Sequence, residues 1–257
     1  MFNIPISEID TLLHQLKNGT IKYDHKLKGE FHDIGLLDMV LSSRYSIATK
    51  HNLIERFIKL GCDVDEFSYS STPLSNAAFG AEEGDLTKIV SLMLEYHKKG
   101  HMSEHNILKS AAKSFDDNMF KTVIQHKNID INTTRFKGSH ILHYLAETEG
   151  YDTHIKDLFL FRPDVIVNPI NRKGFSPLAL SINNKLDFNI IDLLMNIDAR
   201  IFGEITNPQA IIDYEIVDRY DGGSIKFWQD HGDVMSYALK SNKGSLLPQE
   251  VIDTFLF

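Results

Sequence analysis

The chain is poor in cysteine, tryptophan and basic charge. Among 257 residues there is one cysteine, Cys62, and one tryptophan, Trp228. A lone thiol excludes an intramolecular disulfide framework and suits a reducing compartment. No stretch approaches the ~20 consecutive apolar residues that a membrane-spanning helix needs. The opening MFNIPISEIDTLLHQL lacks the basic start and unbroken apolar core of a secretory signal. Lys and Arg total 27 against 35 Asp and Glu, a formal charge of −8. Such a chain gains nothing from counterion release on a phosphate backbone, which argues against nucleic acid as partner. The deficit is uneven, with nine acidic and four basic residues between Glu204 and Asp253.

What the chain does have is self-similarity. TPLSNAA at Thr72–Ala78 returns as NILKSAA at Asn106–Ala112, HILHYLA at His140–Ala146 and SPLALSI at Ser176–Ile182. Leu74, Leu108, Leu142 and Leu178 are spaced by 34, 34 and 36 residues. A period near 33 residues marks a stacked two-helix repeat, in which each unit buries its apolar face against its neighbours.

Each unit then reads as helix, turn, helix and extended loop. The first pairs Leu36–Ser43 with Asn52–Leu60 and ends in Gly61-Cys62-Asp63-Val64-Asp65. In the second, Thr72 caps a helix with Pro73 in its first turn, and Leu86–Tyr96 follows after an insertion at Gly80–Asp85. The third pairs Leu108–Ser114 with Met119–His126, and the fourth Ile141–Glu147 with Thr153–Phe161. The fifth pairs Leu178–Asn183 with Phe188–Asn196. Ahead of them, Ile6, Ile9, Leu12, Leu13 and Leu16 share one helical face, and Ser7 with Asp10 reads as a capping box. Beyond Phe202 the register slips. Residues 1–30 and 203–257 are therefore expected to be helical caps around repeats at 31–202.

The helix starts TPLSNAA and SPLALSI, with the loops GCDVD and NIDIN, resemble ankyrin repeats over Phe31–Phe202. The resemblance implies an all-α ankyrin-type helical solenoid of about five repeats. It also implies a non-catalytic monomer that binds a protein partner through loop tips and the concave helix face, with no cofactor and no membrane insertion. Carried over unit by unit, the partner-binding positions are Ser68, Tyr69, Ser71 and Phe79, then Phe136, Lys137, Ser139 and Glu147, then Arg172, Lys173, Phe175 and Asn183. Tyr69, Phe136 and Phe175 are the aromatic anchors expected on this edge, unless Phe136 and Phe175 tuck against the next unit. The Ile/Asn/Lys-rich style resembles ankyrin proteins that intracellular bacteria deliver into host cells. That implies an effector in the host cytoplasm.

Three strings bear on chemistry. His101-Met102-Ser103-Glu104-His105 has the H-x-x-E-H order of a zinc-peptidase family and raises a zinc-dependent hydrolase as one alternative. Catalysis needs both imidazoles on one helical face, whereas repeat phase puts the string in an inter-unit loop, so no metal ligand is assigned. His140 and His143 occupy the slot where ankyrin units often keep a histidine bonded to backbone between units. Cys62 stands where an ankyrin turn has alanine and reads as packing. A second alternative is a ubiquitin-ligase adaptor, since Leu247-Pro248-Gln249-Glu250-Val251-Ile252 resembles the opening of an F-box. An F-box needs several helices and only Val251–Phe257 remains, which favours a proline-started closing helix.

Overall fold

The structure is a computed structural model that describes residues 5–24, 26–27, 34–67, 71–80, 86–114, 116–133, 138–172, 175–184, 190–191 and 193–194. Its contacts divide into two compact units, Met1–Ile131 and Asn132–Phe257. In the first unit, α1 (Ile6–Lys17) leads to an antiparallel ladder of β1 (Lys26–Leu27) and β2 (Ile34–Gly35). Three helix pairs follow: α2 (Leu36–Leu41) with α3 (Ile47–Lys59), α4 (Pro73–Phe79) with α5 (Thr87–Tyr96), and α6 (Glu104–Lys113) with α7 (Asp117–Gln125). The first helices α2, α4 and α6 pack in one row and the second helices α3, α5 and α7 in another. In the second unit, α8 (Ile141–Leu145) pairs with α9 (Asp152–Phe161), and α10 (Pro177–Asn183) packs on α8.

The repeat leucines are the centre of each pair. Leu74, Leu108 and Leu142 are 0% exposed and Leu178 is 2% exposed. Around them the small Ala77, Ala78, Ala111 and Ala112 are buried, which allows neighbouring helices to approach closely. Thr72 caps α4 by accepting from the Ser75 N–H at 3.2 Å, while the Ser75 hydroxyl accepts from the Thr72 N–H at 2.9 Å. Ser176 caps α10 in the same way through the Ala179 N–H. The cap at Thr72 is fully buried, so no water replaces it. Thr72→Ala is expected to cost about 1 kcal/mol and to lower Tm by about 2–4 °C, measured by thermal denaturation.

Helix α3 closes with a left-handed residue. Gly61 has φ +104°, its N–H bonds to Ile58, and the Cys62 N–H bonds to Phe57. This pair of bonds satisfies carbonyls that the helix end leaves open, and a Cβ at position 61 would be strained. The carbonyl of Leu41, at the end of α2, is taken by a buried lysine instead: Lys50 Nζ donates to it at 2.5 Å.

Several helix boundaries differ from the sequence reading. Helix α3 begins five residues early because Ser46 caps it through the Thr49 N–H. Helix α6 begins four residues early, inside the H-x-x-E-H string, with Glu104 in its first turn. Ser7 forms no capping box: α1 begins after Pro5 without a side-chain cap, and Thr11 Oγ1 donates to the Ser7 carbonyl. Ile6, expected on the apolar face, is 51% exposed, while Ile9, Leu12, Leu13 and Leu16 are buried as expected. The expected cap at 203–257, with its F-box-like string, lies outside the described residues.

Candidate functional site

The ends of the repeats are tied by polar side chains that reach one unit forward. Asn132, closing the NIDIN loop, donates through Nδ2 to the Asp164 carbonyl at 2.8 Å and accepts through Oδ1 from the Ile166 N–H at 2.8 Å. An amide suits this position because it donates and accepts at once. His143 plays a similar role inside the second unit. Its Nδ1 accepts from the His140 N–H at 3.1 Å, which leaves Nε2 to donate to the Phe175 carbonyl at 3.0 Å. Both bonds fix one neutral tautomer and leave no position open for a metal. With the TPL and SPL caps, these are the joints of the expected repeat. The described units are helix pairs joined at the period of the sequence.

Neither the family comparison nor the comparison with curated proteins finds a match. Among solved structures the chain is similar to the crystal structure of the ankyrin repeat domain of Bcl-3, a member of the IκB protein family. That likeness has 18% identity and a TM-score of 0.49, and covers 63% of this chain and 71% of the other.

In the first unit the closing residue of the loop is Asp65 in place of an amide, and the chemistry around it changes accordingly. A carboxylate only accepts, so the next unit must supply every donor. Asp65 Oδ2 accepts from the Lys98 N–H at 3.0 Å. Asp65 Oδ1 lies 2.6 Å from His97 Nδ1 and accepts from Ser103 Oγ at 3.3 Å. The far side of the same ring, His97 Nε2, lies 3.4 Å from Glu104 Oε1, which also accepts from the Gly100 N–H at 2.7 Å and the Asp130 N–H at 3.3 Å. All three ionisable side chains are buried. One imidazole therefore joins the loop after α3, the end of α5 and the start of α6.

Charge favours a protonated ring here. Burial alone would lower the His97 pKa, but the ring's hydrogen bonds to Asp65 and Glu104 and their negative charges outweigh it and raise it to about 9. Burial likewise pushes Asp65 up, and the bonds from His97 and the Lys98 N–H overcome that and hold it below the usual carboxylate range. The cation sits at the C-terminal end of α5 and Glu104 at the N-terminal turn of α6. Both placements match the helix dipoles.

This packing places the residues of the H-x-x-E-H string. His101 stands in the turn before α6, with Nδ1 2.8 Å from Ser103 Oγ, whereas His105 is a buried residue of the helix itself. Ser103 is 0% exposed and Glu104 is 0% exposed, so neither can meet a substrate. Among the described residues no group of His, Cys, Asp and Glu is arranged to hold a metal ion. Cys62 is buried, and its thiol is pushed up to about 12 by burial and then by the Glu66 charge, which leaves it protonated and inert as a nucleophile.

The sequence-derived binding positions fall into three groups. Phe79 ends α4 and is 55% exposed, a large apolar side chain left open beside buried Ala77 and Ala78. In the second unit, Gly138, at φ +67°, leaves room for Arg172, whose Cγ lies 3.4 Å from where its Cβ would be. That brings Arg172 beside Ser139. At the other end of the first helices, Asn184 Nδ2, next to Asn183, donates to the carbonyl of exposed Glu147 at 3.4 Å. Ser71 is partly buried at the foot of α4. Phe175 is 6% exposed, with its N–H on Asn171 and its carbonyl on His143, and of the two sequence readings this burial fits the one in which it tucks against a neighbouring repeat. Ser68, Tyr69, Phe136, Lys137 and Lys173 lie outside the described residues.

Sequence reasoning missed the Asp65–His97–Glu104 linkage. Its one visible signal was an aspartate closing a loop where its counterpart at Asn132 is an amide.

Proposed function

We propose that the chain is a non-catalytic scaffold that binds a protein partner through the first-helix edges and loop tips of its repeats. Phe79 carries this reading. Ankyrin-type units need apolar residues inside, so a phenylalanine held open at the end of a first helix has no packing duty. Glu147 and Asn183 take the matching end in the second unit, with Ser139 and Arg172 on its loops. Ser71 belongs to the same set, as do Ser68, Tyr69, Phe136, Lys137 and Lys173 by repeat position. The rings of buried His97 and His143 are taken up by structural bonds, which supports binding over chemistry. A protonated, buried Cys62 suits the cytoplasm, including a host cytoplasm if the chain is a delivered effector. Among the described residues no helix is long and apolar enough to cross a membrane.

The test is a pull-down from eukaryotic cell lysate with wild type and Phe79→Ala, followed by affinity measurement on the captured protein. Phe79→Ala is expected to weaken binding about tenfold or more, a loss of about 1–2 kcal/mol or above. Its melting temperature should stay within a degree or so of wild type. Unchanged affinity, or a lowered Tm that accounts for the loss, would remove Phe79 from the binding surface.

A further inference from the structure

Helices α1 and α3 leave an open cleft of about 470 Å³ between them, a volume typical of ligand sites. Leu13 and Leu60 supply its apolar lining, and His14, Lys17, Arg56 and Lys59 its basic groups, with Asp10 as the lining carboxylate. The placement follows from helical spacing. Asp10, His14 and Lys17 share one face of α1, as Arg56, Lys59 and Leu60 share one face of α3.

The basic excess is out of keeping with a chain of formal charge −8. Cations in the last turns of α1 and α3 do complement the helix dipoles, but each helix end carries only about half a negative charge. Two such ends offset about one of the three permanent cations. Asp10 offsets another through Arg56, at 3.4 Å with both side chains about half exposed. That contact is long and open to solvent, so an incoming carboxylate can replace it. Lys59 is held at 2.6 Å by Glu55, which is not among the lining residues. Lys17 has no carboxylate partner among the described residues. The cleft therefore combines Lys17, without a carboxylate partner among the described residues, the exchangeable Arg56 and the half-buried Leu60, with Lys59 already paired to Glu55 at its rim.

We propose that the α1–α3 cleft is a second binding site, one that takes an acidic linear segment of a partner protein. An apolar side chain of that segment rests on Leu60, and its carboxylates meet Lys17 and Arg56, with Lys59 at the rim. The combination selects a peptide over a small anion, because a free phosphate would use the cations and leave the apolar lining empty. It selects a peptide over a bilayer because a concave cleft does not fit a flat headgroup surface.

Fluorescence anisotropy on the full chain tests this with a fluorescein-labelled peptide of alternating leucine and glutamate. Saturable binding below about 1 mM is expected, weakened at least tenfold by the double variant Lys17→Glu, Lys59→Glu. Both side chains are exposed, and circular dichroism will show whether the fold is kept. Lys88→Glu, an exposed lysine of α5, should leave binding unchanged. Equal loss in Lys88→Glu would mean only general attraction and would overturn the proposal. So would equal binding of the same peptide with glutamine for glutamate. Displacement by millimolar inorganic phosphate would reduce the cleft to an anion spot. Stronger retention on vesicles of phosphatidylcholine and phosphatidylserine in equal parts would point to a membrane surface instead. Absence of any peptide binding would also refute it.

Discussion

Asp65→Ala should be among the most damaging single substitutions in the chain, costing about 3–5 kcal/mol. It strips the main counter-charge from His97, whose ring is buried and held by Asp65 at 2.6 Å. It also orphans the Lys98 N–H and takes one of two partners from Ser103 Oγ, both of which donate to the same carboxylate. The expected cost comes from leaving a charge and donors without partners, and does not imply that the ion pair itself is a large net stabiliser. Asp65→Asn separates the two ideas. The amide can still accept from Lys98, as Asn132 accepts from Ile166, so its cost should be well below that of alanine. The His97 pKa should then fall from about 9 toward its ordinary value. Chemical denaturation of the two variants, with an NMR titration of His97, reads both effects. Equal costs for alanine and asparagine would show that the hydrogen bonds at this position do not matter.

The same linkage sets a pH window. The folded pKa of His97 is raised, so its contribution is fully present below the unfolded value of about 6.5 and is lost as pH rises through about 9. Asp65 is shifted the other way. Its contribution is present above its unfolded value and is lost as pH falls through the lowered folded one. Stability should therefore fall at both ends, and His97→Gln should flatten the alkaline limb.

Phe57→Ala carries the second large expected effect, about 3–5 kcal/mol. Phe57 is fully buried on α3, and its carbonyl receives the Cys62 N–H that turns the chain into the next loop. Removing the ring opens a cavity on the buried face of α3, where close packing leaves little to collapse into it. Because each repeat leans on its neighbours, the loss should first appear as early melting of part of the chain, with a broader transition. Hydrogen exchange across α2 to α5 will locate it. A sharp, unshifted transition would mean that the site relaxes far better than its burial suggests.

How much of this was visible beforehand depends on the range of the interaction. The leucines at the repeat period and the Thr72 cap are local patterns, and the structure places them as expected. The early starts of α3 and α6 follow local signals that the repeat period does not carry, Ser46 with Thr49 in one case and Glu104 in the other. The buried His97 linkage joins residues from three units, and no window of sequence brings them together. The burial of Phe175 was left open by the sequence for a related reason. A phenylalanine on a loop reads the same from sequence whether it faces solvent or packs under the neighbouring helix. The exposed Phe79 was legible because repeat phase alone puts it at the end of a first helix.

The central claim is that the first-helix edge of the repeats holds a protein partner. Photo-crosslinking tests it most directly, with p-benzoylphenylalanine placed at Phe79 and, separately, at Tyr96, which ends the second helix α5 and is 45% exposed. The account predicts an adduct with the captured partner from position 79 and none from position 96. An adduct from position 96 alone would contradict it.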